Sequence, residues 1–503
     1  MKKIKIYIIL FFTFVYCENK INPIDGYSDD RFGQSVLIED DWIFIGANRD
    51  FHNNVNSGSV YIYTYHNNSN PVLYQKIIPE DSSNDQFFGK TIAYDNGWLA
   101  ISAIYDAQYG YKSGAVYLFY FDGINWVEHS KITAFDATAY DRFGYSIDID
   151  NNRLVVGSIY DDDSGENSGS VYLYDLINNS WILNSKISPD FLNSSDLFGY
   201  SLALGFGYLA ISAPQSDLDV SDGGVVNLYS LQSDSLLNLG YIIPNDLNQY
   251  NNFGNQIYID EKFMFITSIY DDDLTVNAGS VYVYQKIESE WMYHSQLFAS
   301  DGFSNDNFGI SISFDNDWLS VGSYDDDNGI NSGSLYLFKL IDNVFIEQSK
   351  ILSSDGSQYD EFSASNSIKN NYLIVGSRLD DDNGNNSGSA YLYKFKGCKD
   401  YLACNYEENA ILSDSSQCSY PQFGFECNGT CLSIIDECGI CGGNGNNGDA
   451  NFDYILNIID VVMMVDYIFD YTQIDNICVL DLNSNGELNI TDVVLLIENI
   501  LAN

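Results

Sequence analysis

Basic side chains are scarce in this chain: 22 Lys and Arg stand against 70 Asp and Glu over 503 residues, a formal net charge of −48. Phosphate backbones and anionic lipid surfaces would be repelled, which excludes nucleic acid and acidic membranes as partners. The balance suits an exported protein in salty, calcium-bearing surroundings where charge is screened, although solubility alone accounts for most of the acids. Histidine is rarer still. His52, His66, His129 and His294 are scattered without metal-ligand spacing, and His129 and His294 take the same place in two repeats, which marks them as structural. There is no Gly-x-Ser-x-Gly elbow, phosphate-cradling loop or Cys–His nucleophile pair, and no acid pair stands apart as glycoside hydrolysis requires. An enzyme is not expected.

Long apolar runs are missing except at the start. "MKKIKIYIILFFTFVYC" has a basic beginning and ends at Cys17. Its apolar stretch of about ten residues is too short to cross a bilayer. Residues 1–17 read as a secretory signal peptide cleaved after Cys17, so the chain is expected outside the cell or on its surface. Lipid attachment to Cys17 is the alternative, disfavoured by bulky Tyr16 beside it.

What is abundant is repetition. Phe-Gly recurs at Phe32, Phe88, Phe143, Phe198, Phe253 and Phe308, with Phe362-Ser363 as a seventh copy, at spacings of 54 to 56 residues. Each unit runs from an Asp or Asn through Phe-Gly into a short alternating strand and a turn such as "DNN". A second strand such as "RLVVGS", an acidic loop and "SGSVYLY" follow. Most units close with a fourth segment, as in Trp126–Ile132, Trp181–Ile187 and Phe345–Ile351. Four short strands in each of seven units predict an all-β fold, a seven-bladed β-propeller over residues 18–396. The runs VYLY, VYVY and LYLF are apolar on both faces, as strands sandwiched between blades must be, so most of the 40 tyrosines read as core. The seventh unit lacks a closing segment, but "ENKINPIDGYSDDRFG" aligns with "NSKISPDFLNSSDLFG" and puts Lys20 where Lys186 stands. Residues 18–22 are therefore expected to supply the last blade's outer strand and close the ring.

Repeated in this way, "FG…GS…SGSVYLY" resembles the FG-GAP repeats, the propeller family related to the heads of integrin α-chains, over about residues 20–396. The resemblance implies binding or adhesion. Integrin-type repeats carry a DxDxDG-like calcium loop after the Phe-Gly strand. Here that connection has shrunk to "IDIDNNRL" or "AYDNGWL", too short for such a loop. A different acidic loop precedes the third strand, at Asp161–Asp163, Asp271–Asp273, Asp325–Asp327 and Asp380–Asp382. Asp, Asn, Ser and Gly are what a turn between strands selects. The carboxylates of Asp161, Asp163, Asp271, Asp273, Asp325, Asp327, Asp380 and Asp382 could also hold calcium. Trp126, Trp181 and Trp291 on the outer strands are either packing or platforms for a glycan.

Composition changes at Gly397. Cys398, Cys404, Cys418, Cys427, Cys431, Cys438 and Cys441 crowd residues 397–447, and Cys478 makes an even number once Cys17 is removed. In an exported, Gly- and Asn-rich stretch this reads as a disulfide-rich linker of open connectivity. Cys438 and Cys441 have zinc-knuckle spacing, which an oxidising compartment argues against.

Residues 448–503 hold two twelve-residue loops 32 residues apart, "DANFDYILNIID" (Asp449–Asp460) and "DLNSNGELNITD" (Asp481–Asp492). Side-chain oxygens fall at positions 1, 3, 5, 9 and 12: Asp449, Asn451, Asp453, Asn457 and Asp460, then Asp481, Asn483, Asn485, Asn489 and Asp492. That spacing wraps a short loop round a hard cation, calcium, and each loop runs into an apolar helix. The pair resembles a dockerin domain, a small α-helical module that plugs into a cohesin module on a scaffold or cell surface. The resemblance implies a cohesin-like partner and places loop positions 10 and 11 against it, here Ile458-Ile459 and Ile490-Thr491. Packing inside the domain is the other reading of these isoleucines. Loop position six is Gly486 in the second copy but Tyr454 in the first, and the turn there wants φ > 0, so the first site is expected to be the weaker.

The expectation is a secreted, non-enzymatic binding or adhesion protein. Its propeller would take an extracellular protein or glycan, and its tail would dock to a scaffold or surface. Dockerins are often attached to polysaccharide-degrading hydrolases, so membership of such a complex is the alternative.

Overall fold

The structure, a computed structural model, describes residues 19–502 apart from 53, 66–69, 232–235, 325–326, 407–409, 414, 422–425, 428–429, 431–447, 452–454 and 471–476. The signal segment 1–17, His66, Asp325, Cys431, Cys438, Cys441, Asp453 and Tyr454 lie outside the described residues. The chain divides into two compact units, Met1–Lys396 and Gly397–Asn503.

Within the first unit seven sheets each run through four antiparallel strands. Blade 3 shows the pattern, with strands Phe143–Asp150, Arg153–Ser158, Ser170–Ile177 and Ser180–Ile187 in chain order. The first strands of the seven blades are Phe32–Glu39, Phe88–Asp95, Phe143–Asp150, Leu202–Gly205, Phe253–Ile259, Ile312–Asp315 and Phe362–Lys369. Each touches the first strand of the next blade and the last touches the first, so the ring is closed. Blade 7 takes its outer strand from the other end of the chain. Asn19–Ile21 pairs antiparallel with the strand Ser389–Gly397, Lys20 opposite Tyr391, as the alignment of Lys20 with Lys186 requires.

Alternation explains why the third strands are apolar on both faces. In blade 3, Leu154, Val156, Tyr172 and Tyr174 pack against blade 2, through Val116 and Leu118 among others. Val155, Val171 and Leu173 face the other way, onto Leu202 and Leu209 of blade 4. Each such buried aliphatic contributes about 1.5–3 kcal/mol. The motif phenylalanine is the pivot: Phe143 is fully buried and meets the Tyr172 ring edge-on at 5.2 Å. The glycine of "SGS" has a second purpose besides turning the chain. Gly169 has φ +84 and lies so close to the next blade that a Cβ would stand 2.2 Å from the Phe198 carbonyl oxygen. Hydroxyls bridge the blades as well. Ser146 Oγ donates to the Gly199 carbonyl at 2.5 Å, and Ser365 Oγ of blade 7 donates to Gly33 of blade 1 at 2.9 Å.

The outer strands of blades 2 and 5 carry a β-bulge, with His129 and His294 as the extra residue. Each ring meets the neighbouring serine hydroxyl, His129 at 3.0 Å and His294 at 2.8 Å, a structural role.

In the second unit, disulfides join Cys398 to Cys418 and Cys404 to Cys427, and Cys478 is disulfide-bonded too. Helices α1 (Ile458–Asp470) and α2 (Ile490–Ala502) pack through Val461, Met464, Val493 and Leu496. No helix among the described residues is long and apolar enough to cross a membrane.

Candidate functional site

The aspartate loops are tied to a lysine that the run of three acids does not announce. Lys186, on blade 3's outer strand, places its ammonium 2.8 Å from Asp136, 2.8 Å from Asp161 and 2.5 Å from Asp163. The Tyr172 hydroxyl donates to Asp136 at 2.7 Å and Asp161 at 3.0 Å. Asp161 also accepts from Ser170 Oγ and the Asp163 backbone N–H, so turn chemistry and ion pairing share one carboxylate. Lys20 repeats the arrangement in blade 7, at 2.6 Å from Asp355, 2.8 Å from Asp380 and 2.5 Å from Asp382. Lys76 holds Asp25 and Asp50, Lys131 holds Asp81 and Asp106, and Lys350 holds Asp301 and Asp327. Burial alone would push the Asp136 carboxyl up; Lys186 and Tyr172 outweigh it and hold it below the ordinary range. An ammonium thus stands among the carboxylates of Asp161, Asp163, Asp327, Asp380 and Asp382. The signal was present in the sequence as the recurring lysine of "SKI", one outer strand away from each acid run.

Blade 5 departs from this scheme, because Gln296 stands where the lysine belongs. Its amide donates to Asp271 at 3.1 Å and Asp273 at 3.3 Å but brings no charge. Burial, reinforced by the charge of Asp273, holds the Asp271 carboxyl above its ordinary range. A carboxyl raised in the folded chain keeps a proton the unfolded chain has lost, so blade 5 loses stability as pH rises from about 4 toward neutrality. Gln296→Lys should therefore raise stability by about 1 kcal/mol at neutral pH, and by nothing near pH 4. Urea midpoints at the two pH values read this; a lower midpoint than the parent's at neutral pH contradicts it.

The C-terminal loops are organised by the residues that end them. Asn457 is the N-cap of α1, its Oδ1 accepting from the Ile459 N–H at 2.8 Å, and Asp460 reaches back to the Asn457 N–H at 2.9 Å. Asn489 and Asp492 do the same for α2, at 2.9 and 3.0 Å. Asp460 and Asp492 are fully buried, and Asp449 and Asp481 nearly so. The Asp481 carboxylate accepts from the Asn485 and Gly486 N–H groups at 3.0 and 2.6 Å, and Gly486 takes φ 88. The Asn483 Oδ1 is buried with no hydrogen-bond partner among the described residues. Buried carboxylates, an orphaned amide oxygen and no nitrogen or sulfur donor form a set that suits a hard cation. Asn457 and Asn489 use their oxygens as caps. Beside the loops Ile458, Ile459 and Ile490 are 68%, 53% and 63% exposed, and Thr491 is exposed too. These isoleucines do not pack inside the domain.

Six stretches, residues 17–63, 72–119, 126–174, 239–284, 291–338 and 345–393, match the FG-GAP repeat. The chain belongs to the FG-GAP repeat family. Each matched stretch takes in one blade's outer strand and ends on the next blade's third, and the first includes Asn19–Ile21, which completes blade 7. No curated protein matches the chain. Among solved structures it is similar to the crystal structure of Saccharomyces cerevisiae Sqt1, at 11% identity and a TM-score of 0.40, over 75% of this chain and 85% of that one. So remote a likeness carries no argument.

The FG-GAP ring's unmatched repeat is blade 4, and its chemistry differs from that of the others. Ser216, Asn227 and Tyr241 take the places of aspartate, tyrosine and lysine, and Asn227 donates to the Gly240 carbonyl at 2.6 Å instead. The set changes together because a lone buried charge would be left uncompensated. The tryptophans are packing. Trp126, Trp181 and Trp291 each meet an aromatic ring of the preceding blade, Trp42, Trp98 and Tyr208, at 5.5–5.7 Å.

Proposed function

We propose that this is an exported, non-enzymatic binding protein in which the FG-GAP propeller takes an extracellular ligand and the tail is a calcium-dependent docking module. An FG-GAP propeller is a binding or adhesion type of fold, and disulfides fit an oxidising compartment. The observation that carries the docking half is the pairing of two capped, oxygen-lined loops with exposed isoleucines at their ends. Calcium would be held by Asp449, Asn451, Asp453 and Asp460, and by Asp481, Asn483, Asn485 and Asp492, neutralising carboxylates that are otherwise costly to bury. Filling each loop fixes the helix start beside it and so presents the exposed Ile458 and Ile459 beside one loop and Ile490 beside the other. A cohesin-like protein on a scaffold or cell surface is the partner these isoleucines fit.

The test is capture of cell-surface proteins from the producing organism on beads bearing the full chain. A protein should be retained in millimolar calcium, released by chelator, and absent from beads bearing the Asp460→Ala, Asp492→Ala double variant. Retention indifferent to both treatments contradicts the proposal.

A further inference from the structure

At the centre of the ring is a cavity of about 470 Å³ walled by the first strands. Its charge is the reverse of the chain's. Lys90 and Arg378 line it, and Arg31, Arg49, Lys112 and Arg142 gather at the end where the first strands begin. Six of the chain's 22 Lys and Arg thus surround one mouth. Aromatic faces carry several of them: Arg49 over Phe87 at 5.0 Å, Lys112 over Tyr105 at 4.1 Å and Arg142 over Tyr160 at 4.5 Å. At the opposite end four of the seven first strands finish on an acid, Glu39, Asp95, Asp150 and Asp315, and one on Lys369, which pairs with Glu39, so the channel runs from cationic to acidic.

Arg378 has an acidic partner, Glu361, at 2.5 Å. Lys90 Nζ has no ion pair and no hydrogen bond among the described residues, and the Nε atoms of Arg31, Arg49 and Arg142 are buried without a partner. A half-buried ammonium lining a cavity with no ion pair or hydrogen bond of its own, and only the charge of Glu361 shared with Arg378 and Arg31 around it, is costly unless a ligand supplies the charge. We propose that this mouth binds a carboxylate carried on a sugar, a terminal uronate residue, with the carboxylate on Lys90.

Within the cavity lining Lys90 is the one cation without an ion pair, which suits one negative charge. Tyr145, Tyr200 and Tyr324 also line the cavity and offer ring faces to a pyranose, while the amides of Gln34 and Asn255 offer hydrogen bonds to its hydroxyls. The volume lies in the range of small-ligand pockets, and an inorganic anion would leave most of it unfilled. A polyanionic chain or an acidic peptide would meet the exposed Asp162, Asp163, Asp381 and Asp382 in the loops that follow the second strands on the same side. Burial, with the positive charges of Arg378 and Arg31 and against the pull of Glu361, brings the Lys90 ammonium down to about 8. Burial raises the Tyr145 and Tyr324 phenols, which stay neutral across that range. The carboxylate is therefore held below about pH 8 and let go above it. The assignment rests on the propeller being the ligand-binding half of the proposed function and is independent of the calcium loops.

The experiment is calorimetric titration of the full chain with a glucuronate-terminated disaccharide, its neutral glucose-terminated twin and a glutamyl dipeptide. The glucuronate should bind, with the twin and the dipeptide at least about tenfold weaker. Lys90→Gln should lose about tenfold or more while melting no lower than the parent, since it removes an unpartnered cation. Lys90→Arg should retain binding and abolish the fall in affinity between about pH 7 and about pH 9, because a guanidinium stays charged. Excess chelator should leave these affinities unchanged, which separates this site from docking. Equal binding of the neutral twin, dipeptide binding as tight as the sugar's, or an unaltered Lys90→Gln overturns the proposal.

Discussion

Deleting residues 19–22 should abolish cooperative unfolding of the ring. The strand Asn19–Ile21 brings two contributions that blade 7 cannot replace. Ile21 is 7% exposed and buries about 2–3 kcal/mol of apolar surface. Lys20 neutralises Asp380, whose side chain is 3% exposed, and removing the partner of a buried charge costs about 3–5 kcal/mol. Together these approach the whole stability of an ordinary domain, about 5–15 kcal/mol. The strand Ser389–Gly397 also loses its partner along Ala390–Leu392, an open stretch of edge that is a template for aggregation. A synthetic peptide spanning residues 18–27 should restore part of the transition by adding the strand in trans. Calorimetry reads both outcomes, and a deletion variant that melts like the parent refutes closure by the N-terminal strand.

Lys186→Met is the second large effect. It leaves the ring's connectivity intact but strips the ammonium from Asp136, Asp161 and Asp163. Asp161 is buried, its side chain 5% exposed, whereas Asp136 and Asp163 reach solvent at 27% and 61%, so the expected cost is the lower end of the range, about 3 kcal/mol. The pH dependence follows from Asp136, whose carboxyl is held low in the folded chain. A depressed carboxyl contributes stability that is present above its unfolded pKa and lost as pH falls through the folded value. The gap between parent and variant should therefore be full at neutral pH and close below about pH 4. The same three acids, freed of their lysine, are near enough together to take a divalent ion, so calcium should stabilise Lys186→Met more than the parent. A variant as stable as the parent at neutral pH contradicts the ion-pair account.

These two sites differ in how plainly the sequence displays them. Ring closure was legible because Lys20 and Lys186 sit in the same short phrase, and a strand's partner can be read from its repeat. The aspartate loops were legible as loops but not as ion pairs. Asp161 and Lys186 lie on different segments, and a contiguous run of acids draws the eye to its own oxygens rather than to a cation on the next strand but one. The swaps in blade 4, Ser216, Asn227 and Tyr241, make sense only once the strand register is known. In the tail, spacing revealed the twelve-residue loops, yet left Ile458, Ile459 and Ile490 between core and surface; the turn of each helix decides it. The cationic mouth was invisible, since Arg31, Lys90, Arg142 and Arg378 come from four blades and no stretch of sequence holds two of them.

Lysine occupies the acidic loops of five blades, and in blade 5 the Gln296 amide holds Asp271 and Asp273, so calcium is left for the tail. Equilibrium dialysis of the full chain against millimolar calcium counts the ions directly. The account predicts about two per chain, one for each twelve-residue loop, both lost in the Asp460→Ala, Asp492→Ala double variant. Ions that persist in that variant, lodged in the propeller, or no calcium bound at all, would contradict it.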